Sequence, residues 1–483
     1  MERNLPRAER QNVEGVCWTC LDNNWQCDGC LPRCNACTQR EVRCRGYGVR
    51  LQWPTGVAGQ KTRLWRRQGR RSSDANSPAD TDRDVALPGA ISALGLPAEE
   101  SFFMQHYLQN IARIALAIDY DGNGYRSLLP MAVQEPALLN AALAVAASHH
   151  SRWQHTADKT SRKYLRAAAK ALRDRFSTPD LVHSQVTLAS MLLLVSFEVF
   201  SGSNRWQGHY DAIRGWIRSR GDCSDLDPFL KTWVCLLDTQ SALNLGQPAM
   251  QELESWLDIT TDVAGQEQCV DALFGCSSRL PKLMWAASRL YASSKDNQIT
   301  LDELRNQAEA LQNEIRSTVI ILDSQPLVGI SCHSTAQPFA TVGMGQEELR
   351  QRMVATAEIF RHASHIYVYR IMHGPEEALT EEMQASLNTA QDLLTMVPDA
   401  LGPGANLGWC LVVLGAELDG THERDYIRSR LDGLHLLGIH NTKNGQKILE
   451  EVWTHRDLVT QGQALPERWQ DTMQRIGQSQ ILV

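Results

Sequence analysis

The sequence predicts two unlike folding units, a small cysteine-organised N-terminal module and a large all-α domain, joined by a flexible linker. Three observations predict this. Six cysteines near the N-terminus, Cys17, Cys20, Cys27, Cys34, Cys37 and Cys44, repeat the spacing C-x2-C-x6-C twice. Residues 72–97 are rich in Ser, Asp, Pro and small residues without an apolar stripe, which is linker composition. From about residue 98 onward, apolar residues return at intervals of three and four, the helical period.

The cysteines come first because their spacing is the most specific signal. Paired C-x2-C thiolates suit tetrahedral zinc. Six thiolates cannot supply two separate sets of four, so two zinc ions must share two of them, closing a segment too short to fold otherwise. The competing use of dense cysteine is a disulfide framework. The first sixteen residues are polar and charged with no apolar signal region, so a reducing compartment is expected. Of the thirteen cysteines, Cys223, Cys235, Cys269, Cys276, Cys332 and Cys410 are scattered among apolar stretches and read as inert core thiols. Cys30 forms a second C-x2-C with Cys27, which leaves a register using Cys27 and Cys30 open beside the favoured symmetric one.

With Cys17-Trp-Thr-Cys20, Cys27-Asp28, Pro32 two residues before Cys34, and Cys44-Arg-Gly-Tyr47-Gly, the segment resembles the fungal Zn2Cys6, or binuclear zinc cluster, transcription factors. The resemblance implies that Cys17 and Cys34 bridge the metals, that Cys20, Cys27, Cys37 and Cys44 are terminal ligands, and that Pro32 shapes the intervening loop. One departure matters. In that family the residues between the second and third cysteines are rich in Arg and Lys that reach DNA, whereas here they read Leu21-Asp22-Asn23-Asn24-Trp25-Gln26. No cation remains there to pair with guanine or phosphate. Asn23, Asn24 and Gln26 offer amides suited to the N6 and N7 edge of adenine, an altered rather than a lost specificity. The alternative is a zinc-cluster protein that has lost direct DNA reading and acts as a protein-interaction co-regulator.

Residues 1–71 hold 14 Lys+Arg against 6 Asp+Glu, so they carry +8 and leave −15 on the remainder of a chain whose total is −7. Any contact with DNA is thereby confined to the N-terminal region. The candidate contacts are Arg33, Arg40, Arg43 and Arg45, followed by Lys61, Arg63, Arg66 and Arg67 in a basic run that also suits nuclear import. Trp53 and Trp65 interleave with these cations. The expected divisions are the cluster at 13–50, a basic arm and linker at 51–97, and the all-α domain at 98–483.

Helices are expected at 100–118, 135–152, 159–176, 181–201, 206–219, 228–243, 301–322, 347–373, 381–396 and 406–418, with an interruption around 324–346. Ser127-Leu-Leu-Pro-Met, Glu135-Pro-Ala-Leu-Leu-Asn-Ala, Leu192-Leu-Leu with Glu198-Val-Phe-Ser-Gly, and Trp206-Gln-Gly-His209 with Ala212 to Gly215 resemble, in order, the helical regulatory domain of the same fungal regulators. That resemblance implies control of activity and a small-molecule effector.

No coiled coil follows the cysteines. Leu304, Ala308, Leu311, Ile315, Thr318 and Leu322 alternate spacings of four and three, a pattern that an amphipathic core helix also shows, so a homo- or heterodimer partner stays open. Asp119-Tyr-Asp121-Gly-Asn123-Gly124 starts like a calcium loop but places Pro130 where the bidentate Glu belongs, and reads as a turn. His362, His365 and His373 lie near one side of a helix and read as structural histidines. Glu252-Leu-Glu-Ser-Trp256-Leu-Asp258-Ile has the composition of a coactivator-docking segment, or of an ordinary surface helix. No nucleophile elbow, Walker loop, H-E-x-x-H or G-x-G-x-x-G occurs, so no enzyme is expected. The longest apolar run, Leu188 to Phe197, is half a bilayer span, so no membrane segment is expected. The expected function is a zinc-dependent, nuclear, DNA-binding transcription regulator governing a metabolic or biosynthetic gene set, with double-stranded DNA as partner.

Overall fold

The computed structural model describes residues 16–29, 34–40, 42, 44, 95–117, 123–258, 270–318, 320, 346–397 and 404–482. The chain divides into two units, Met1–Ala86 and Leu87–Val483. Residues 51–94 of the expected arm and linker, Cys30, Pro32, Cys269 and Cys332 lie outside the described residues, as do residues 324–345 of the expected interruption.

The first unit contains two short helices, α1 (Trp18–Asn23) and α2 (Asn35–Gln39), one in each half of the cysteine repeat. In the second unit, α3 (Ala98–His106) runs on through a π-helical turn at Tyr107–Ile111. It is followed by α4 (Pro136–Trp153), α5 (Ser161–Phe176), α6 (Gln185–Ser201), α7 (Trp206–Arg220) and α8 (Pro228–Leu245). The later helices are α9 (Leu280–Lys295), α10 (Leu301–Ser317), α11 (Gln346–His373), α12 (Glu381–Met396), α13 (Gly408–Gly415), α14 (Thr421–Leu436), α15 (Asn441–Thr460) and α16 (Trp469–Arg475). Among the described residues, extended pairing is limited to a bridge between Val270 and Ser277.

Caps set the ends of several helices. Asp227 accepts the Phe229 amide at 2.8 Å to start α8. Thr300 and Glu303 exchange hydrogen bonds across the first turn of α10 in a capping box, satisfying two amides that have no carbonyl within the helix. The apolar helices α4, α6, α8 and α13 are buried over most of their length and form much of the interior. Amphipathic α5 and α10 bury one stripe each. For α10 that stripe is Leu304, Ala308, Leu311 and Ile315, packed against α9 and α11. The heptad-like pattern is therefore a core face of this chain. The helix ends at Ser317 rather than 322, where Thr318 turns extended.

The motifs that resemble the fungal regulatory domain are packing seams. Arg175 at the end of α5 is buried and binds Glu135 at 2.6 Å, Thr187 at 2.9 Å and Ser184 at 2.6 Å, tying the starts of α4 and α6 to α5. Gly202 ends α6 with φ of 70°, and a Cβ there would lie 3.1 Å from the His440 carbonyl oxygen. Its own carbonyl accepts from Asn444 at 2.9 Å. Trp206 is fully buried and donates to the Ser479 carbonyl at 2.7 Å. These contacts bring the C-terminal residues back onto α6 and α7.

Two histidines make a hydrogen-bonded chain through this core. His149 Nε2 lies 2.7 Å from the Leu437 carbonyl oxygen, which only accepts, so His149 carries its proton there and accepts at Nδ1 from His106 Nε2, 2.9 Å away. A second proton on His149 Nδ1 would face the proton of His106. Burial, together with the neighbouring histidines and, for His149, Arg152, holds both rings down at about 3. The unfolded chain therefore takes up protons that the folded one refuses. The stability this pair contributes is present above about pH 6.5 and is lost as the pH falls from there toward about 3. Thermal melts of the chain from pH 7.5 to 5 are expected to show a falling midpoint, with a shallower slope in a His106→Gln/His149→Gln variant. An equal slope in the two proteins would contradict this assignment.

Candidate metal centre

The two halves of the cysteine repeat fold alike. Cys17 precedes α1 and accepts the Cys20 amide on its sulfur at 3.4 Å, and Cys34 precedes α2 and accepts the Cys37 amide at 3.3 Å. Beyond each helix the chain turns back the same way, Trp25 N–H donating to the Cys20 carbonyl at 2.8 Å and Val42 N–H to the Cys37 carbonyl at 3.1 Å. Each turn returns the third cysteine of its half, Cys27 or Cys44, toward the other sulfurs. The Cys17 amide donates to the Cys27 sulfur at 3.3 Å. The Asp28 carboxylate accepts the Asn35 amide at 2.9 and 3.1 Å, joining the end of the first half to the start of α2.

Six sulfurs converge as a result. Cys17, Cys20, Cys27 and Cys34 form one group and Cys17, Cys34, Cys37 and Cys44 another, with the ligand atoms of each within 4.8 Å of one another. Cys17 and Cys34 are common to both, which matches the positions that the family resemblance makes bridging. The Cys17–Cys34, Cys17–Cys37 and Cys20–Cys34 sulfur separations are each 3.6 Å. A disulfide needs about 2.05 Å, whereas four sulfurs at about 2.3 Å from one tetrahedral ion stand about 3.8 Å apart. The donor set and spacing therefore fit soft, four-coordinate metal ions. Cys17, Cys20, Cys34 and Cys37 are fully buried, and Cys27 and Cys44 are half-buried. Burial pushes the thiols of Cys17 and Cys20 up, and that of Cys34 up to about 12. Without a cation these sulfurs hold their protons, so metal uptake has to release them.

Of the residues expected to touch DNA, Asn23, Asn24, Gln26 and Arg40 are among the described residues. Asn23 is exposed but donates its amide to the Thr19 carbonyl at 2.8 Å. Asn24 ends α1 in the left-handed region with φ of 55°, and Gln26 is exposed. Arg40 donates to the Ala36 carbonyl at 2.9 Å, and its guanidinium lies 4.9 Å from the centre of the Trp25 ring. That contact joins the two halves and was not anticipated from the sequence, where the only hint is an aromatic residue in place of the usual cations. Arg33, Arg43, Arg45, Lys61, Arg63, Arg66 and Arg67 lie outside the described residues.

Residues 119–122 of the calcium-like loop lie outside the described residues, and the described members of the other constellations have structural roles. Asn123 is buried, caps the helix Gly124–Ser127 and donates to the Ala112 carbonyl at 2.8 Å. His362 and His365 both approach the Ser386 hydroxyl, at 2.6 and 3.4 Å, and His373 stacks on Tyr369. Leu253 and Leu257 are buried and Trp256 is packed against the core, so the acidic-aromatic segment is an integral surface helix. Among the described residues no helix is long and apolar enough to cross a membrane.

Residues 101–483 match the family described as the fungal specific transcription factor domain. No curated protein and no solved structure matches the chain. The match covers most of the chain, which therefore belongs to this family of transcription regulators.

Because Cys34 is common to both sulfur groups and Cys44 belongs to one, Cys34→Ser is expected to lower metal uptake at both groups and Cys44→Ser at one only. Metal content per chain after equilibration checks this. Equal losses in the two variants would contradict the sharing.

Proposed function

We propose that this family member is a zinc-dependent, nuclear, DNA-binding transcription regulator that controls a metabolic or biosynthetic gene set. The observation that carries the proposal is the pair of four-sulfur groups sharing Cys17 and Cys34, in a chain whose helical portion belongs to a transcription factor family. Two zinc ions fit those groups, and when bound they supply the cross-links that an N-terminal unit of this size cannot draw from apolar burial.

The work of recognition falls on the chain's own residues. Asn23, Asn24 and Gln26 are exposed side by side at and beyond the end of α1, where a carboxamide can donate to N7 and accept from N6 of adenine only through its free edge. For Asn23 this competes with the bond to the Thr19 carbonyl. Phosphate neutralisation is assigned to Arg33, Arg43 and Arg45 and to Lys61, Arg63, Arg66 and Arg67. The acidic remainder of the chain keeps DNA on that side by repulsion. Arg40, held by Trp25 and the Ala36 carbonyl, orders the cluster surface. The helical domain acts as the regulatory body.

A second reading is favoured by one observation, the absence of any cation from Leu21 to Gln26. On that reading the cluster is an interaction module and promoter targeting comes from a partner.

Selection of the zinc-loaded full chain against a random duplex pool separates the two readings. The proposal expects an enriched motif containing A·T pairs, and affinity that falls with a log–log salt slope of about −0.9 per neutralised phosphate. Weak binding without sequence preference would establish the interaction-module reading instead.

A further inference from the structure

The helical unit contains a cavity of about 210 Å³ bordered by α11, α13, α15 and residues 466–470. Ile366, Val413, Val452 and Trp469 supply apolar wall. Three arginines reach it, and two are already neutralised. Arg370 binds Glu417 through bonds of 2.9 and 2.7 Å, and Arg456 binds Asp419 through bonds of 3.1 and 2.8 Å.

Arg468 differs. Its guanidinium donates to the carbonyls of Arg370 and Ile371 near the C-terminal end of α11 and lies 5.1 Å from the centre of the Tyr291 ring. No carboxylate among the described residues pairs with it. The adjacent Glu467 is engaged by Arg475 at 2.7 Å and by Thr472 at 2.7 Å. Exposed Glu376 also lines the cavity.

We propose that this cavity binds a small monocarboxylate with a single-ring or branched apolar body, its carboxylate paired with Arg468. The size fits, because an apolar cavity of about 150 Å³ already admits benzene and the additional space takes the charged group. Two of the five guanidinium N–H donors of Arg468 go to the Arg370 and Ile371 carbonyls, and the remaining donors suit a carboxylate oxygen better than an ammonium or a neutral ligand. The exposed carboxylate of Glu376 disfavours a second negative charge. The inference rests on the helical unit alone and holds whether or not the chain reads DNA.

Calorimetry and thermal melts of the full chain with benzoate and 4-methylpentanoate test it, with benzamide as the uncharged analogue and phthalate as the dianion. One of the two monoanions is expected to bind with Kd of about 1 mM or tighter and to raise the melting midpoint at saturation. Benzamide and phthalate are expected to bind at least about tenfold more weakly. Arg468→Gln should lose about tenfold in affinity for the monoanion while leaving benzamide unchanged. Since Arg468 also holds α11, Val459→Trp serves as a second variant that fills the cavity and leaves Arg468 in place, and it should abolish binding. The proposal is overturned by the absence of binding for both monoanions, by equal affinity for benzamide, or by undiminished binding in folded Arg468→Gln or Val459→Trp.

Discussion

Cys17 and Cys34 are the points on which the N-terminal unit turns, because each sulfur belongs to both four-sulfur groups. Around them the described core is five residues, Cys17, Cys20, Cys34, Ala36 and Cys37, far too little apolar surface to order a chain against its conformational entropy. The backbone of this segment is arranged for the sulfurs: amides point at them, both helices start from them, and both turns bring the third cysteine back to them. Metal binding by these sulfurs would therefore be coupled to folding, and the Arg40–Trp25 contact lies on the segment that they organise.

The helical unit solves the same problem by the opposite means. Most of its interior is one large cluster, with Trp206, Trp233, Trp409 and Trp453 among the largest fully buried side chains. Polar groups within that interior act as fasteners between helices distant in sequence. Arg175 locks three helix ends together, Asn444 and Asn441 bind carbonyls of Gly202 and Ile481, and the His106–His149 chain reaches the Leu437 carbonyl. Apolar burial decides that these helices collapse, and the fasteners restrict which arrangement they collapse into. Membership of the fungal specific transcription factor domain family gives this unit a regulatory setting, and the Arg468 cavity gives it a place where an input of defined chemistry can act.

Much of this was legible in the sequence, for reasons that differ between elements. The cysteine spacing is a geometric statement about metal ligands, and the six sulfurs converge as that spacing requires. Strongly periodic helices such as α5 and α10 were legible because one face must be apolar. Three long helices, α9, α14 and α15, lay beyond the segments identified. In α15 the Asn444-Gly445 pair has turn chemistry, yet Gly445 sits inside the helix, where a Cβ would lie 3.3 Å from Leu482 and 3.4 Å from Val412, a tertiary approach that local sequence does not encode. The Arg468 environment is likewise a product of packing between distant segments. Asn23 and Arg40 were legible as polar and exposed, but their hydrogen bonds to Thr19 and Ala36 depend on local helix ends that spacing alone does not fix.

The central claim is that two zinc ions share six sulfurs, with Cys17 and Cys34 bound to both. X-ray absorption at the zinc edge on the metal-saturated full chain tests it most directly. The account predicts a shell of four sulfurs at about 2.3 Å around each zinc, with a second zinc as a near neighbour. A shell containing nitrogen or oxygen ligands, or isolated zinc without a metal neighbour, would contradict it.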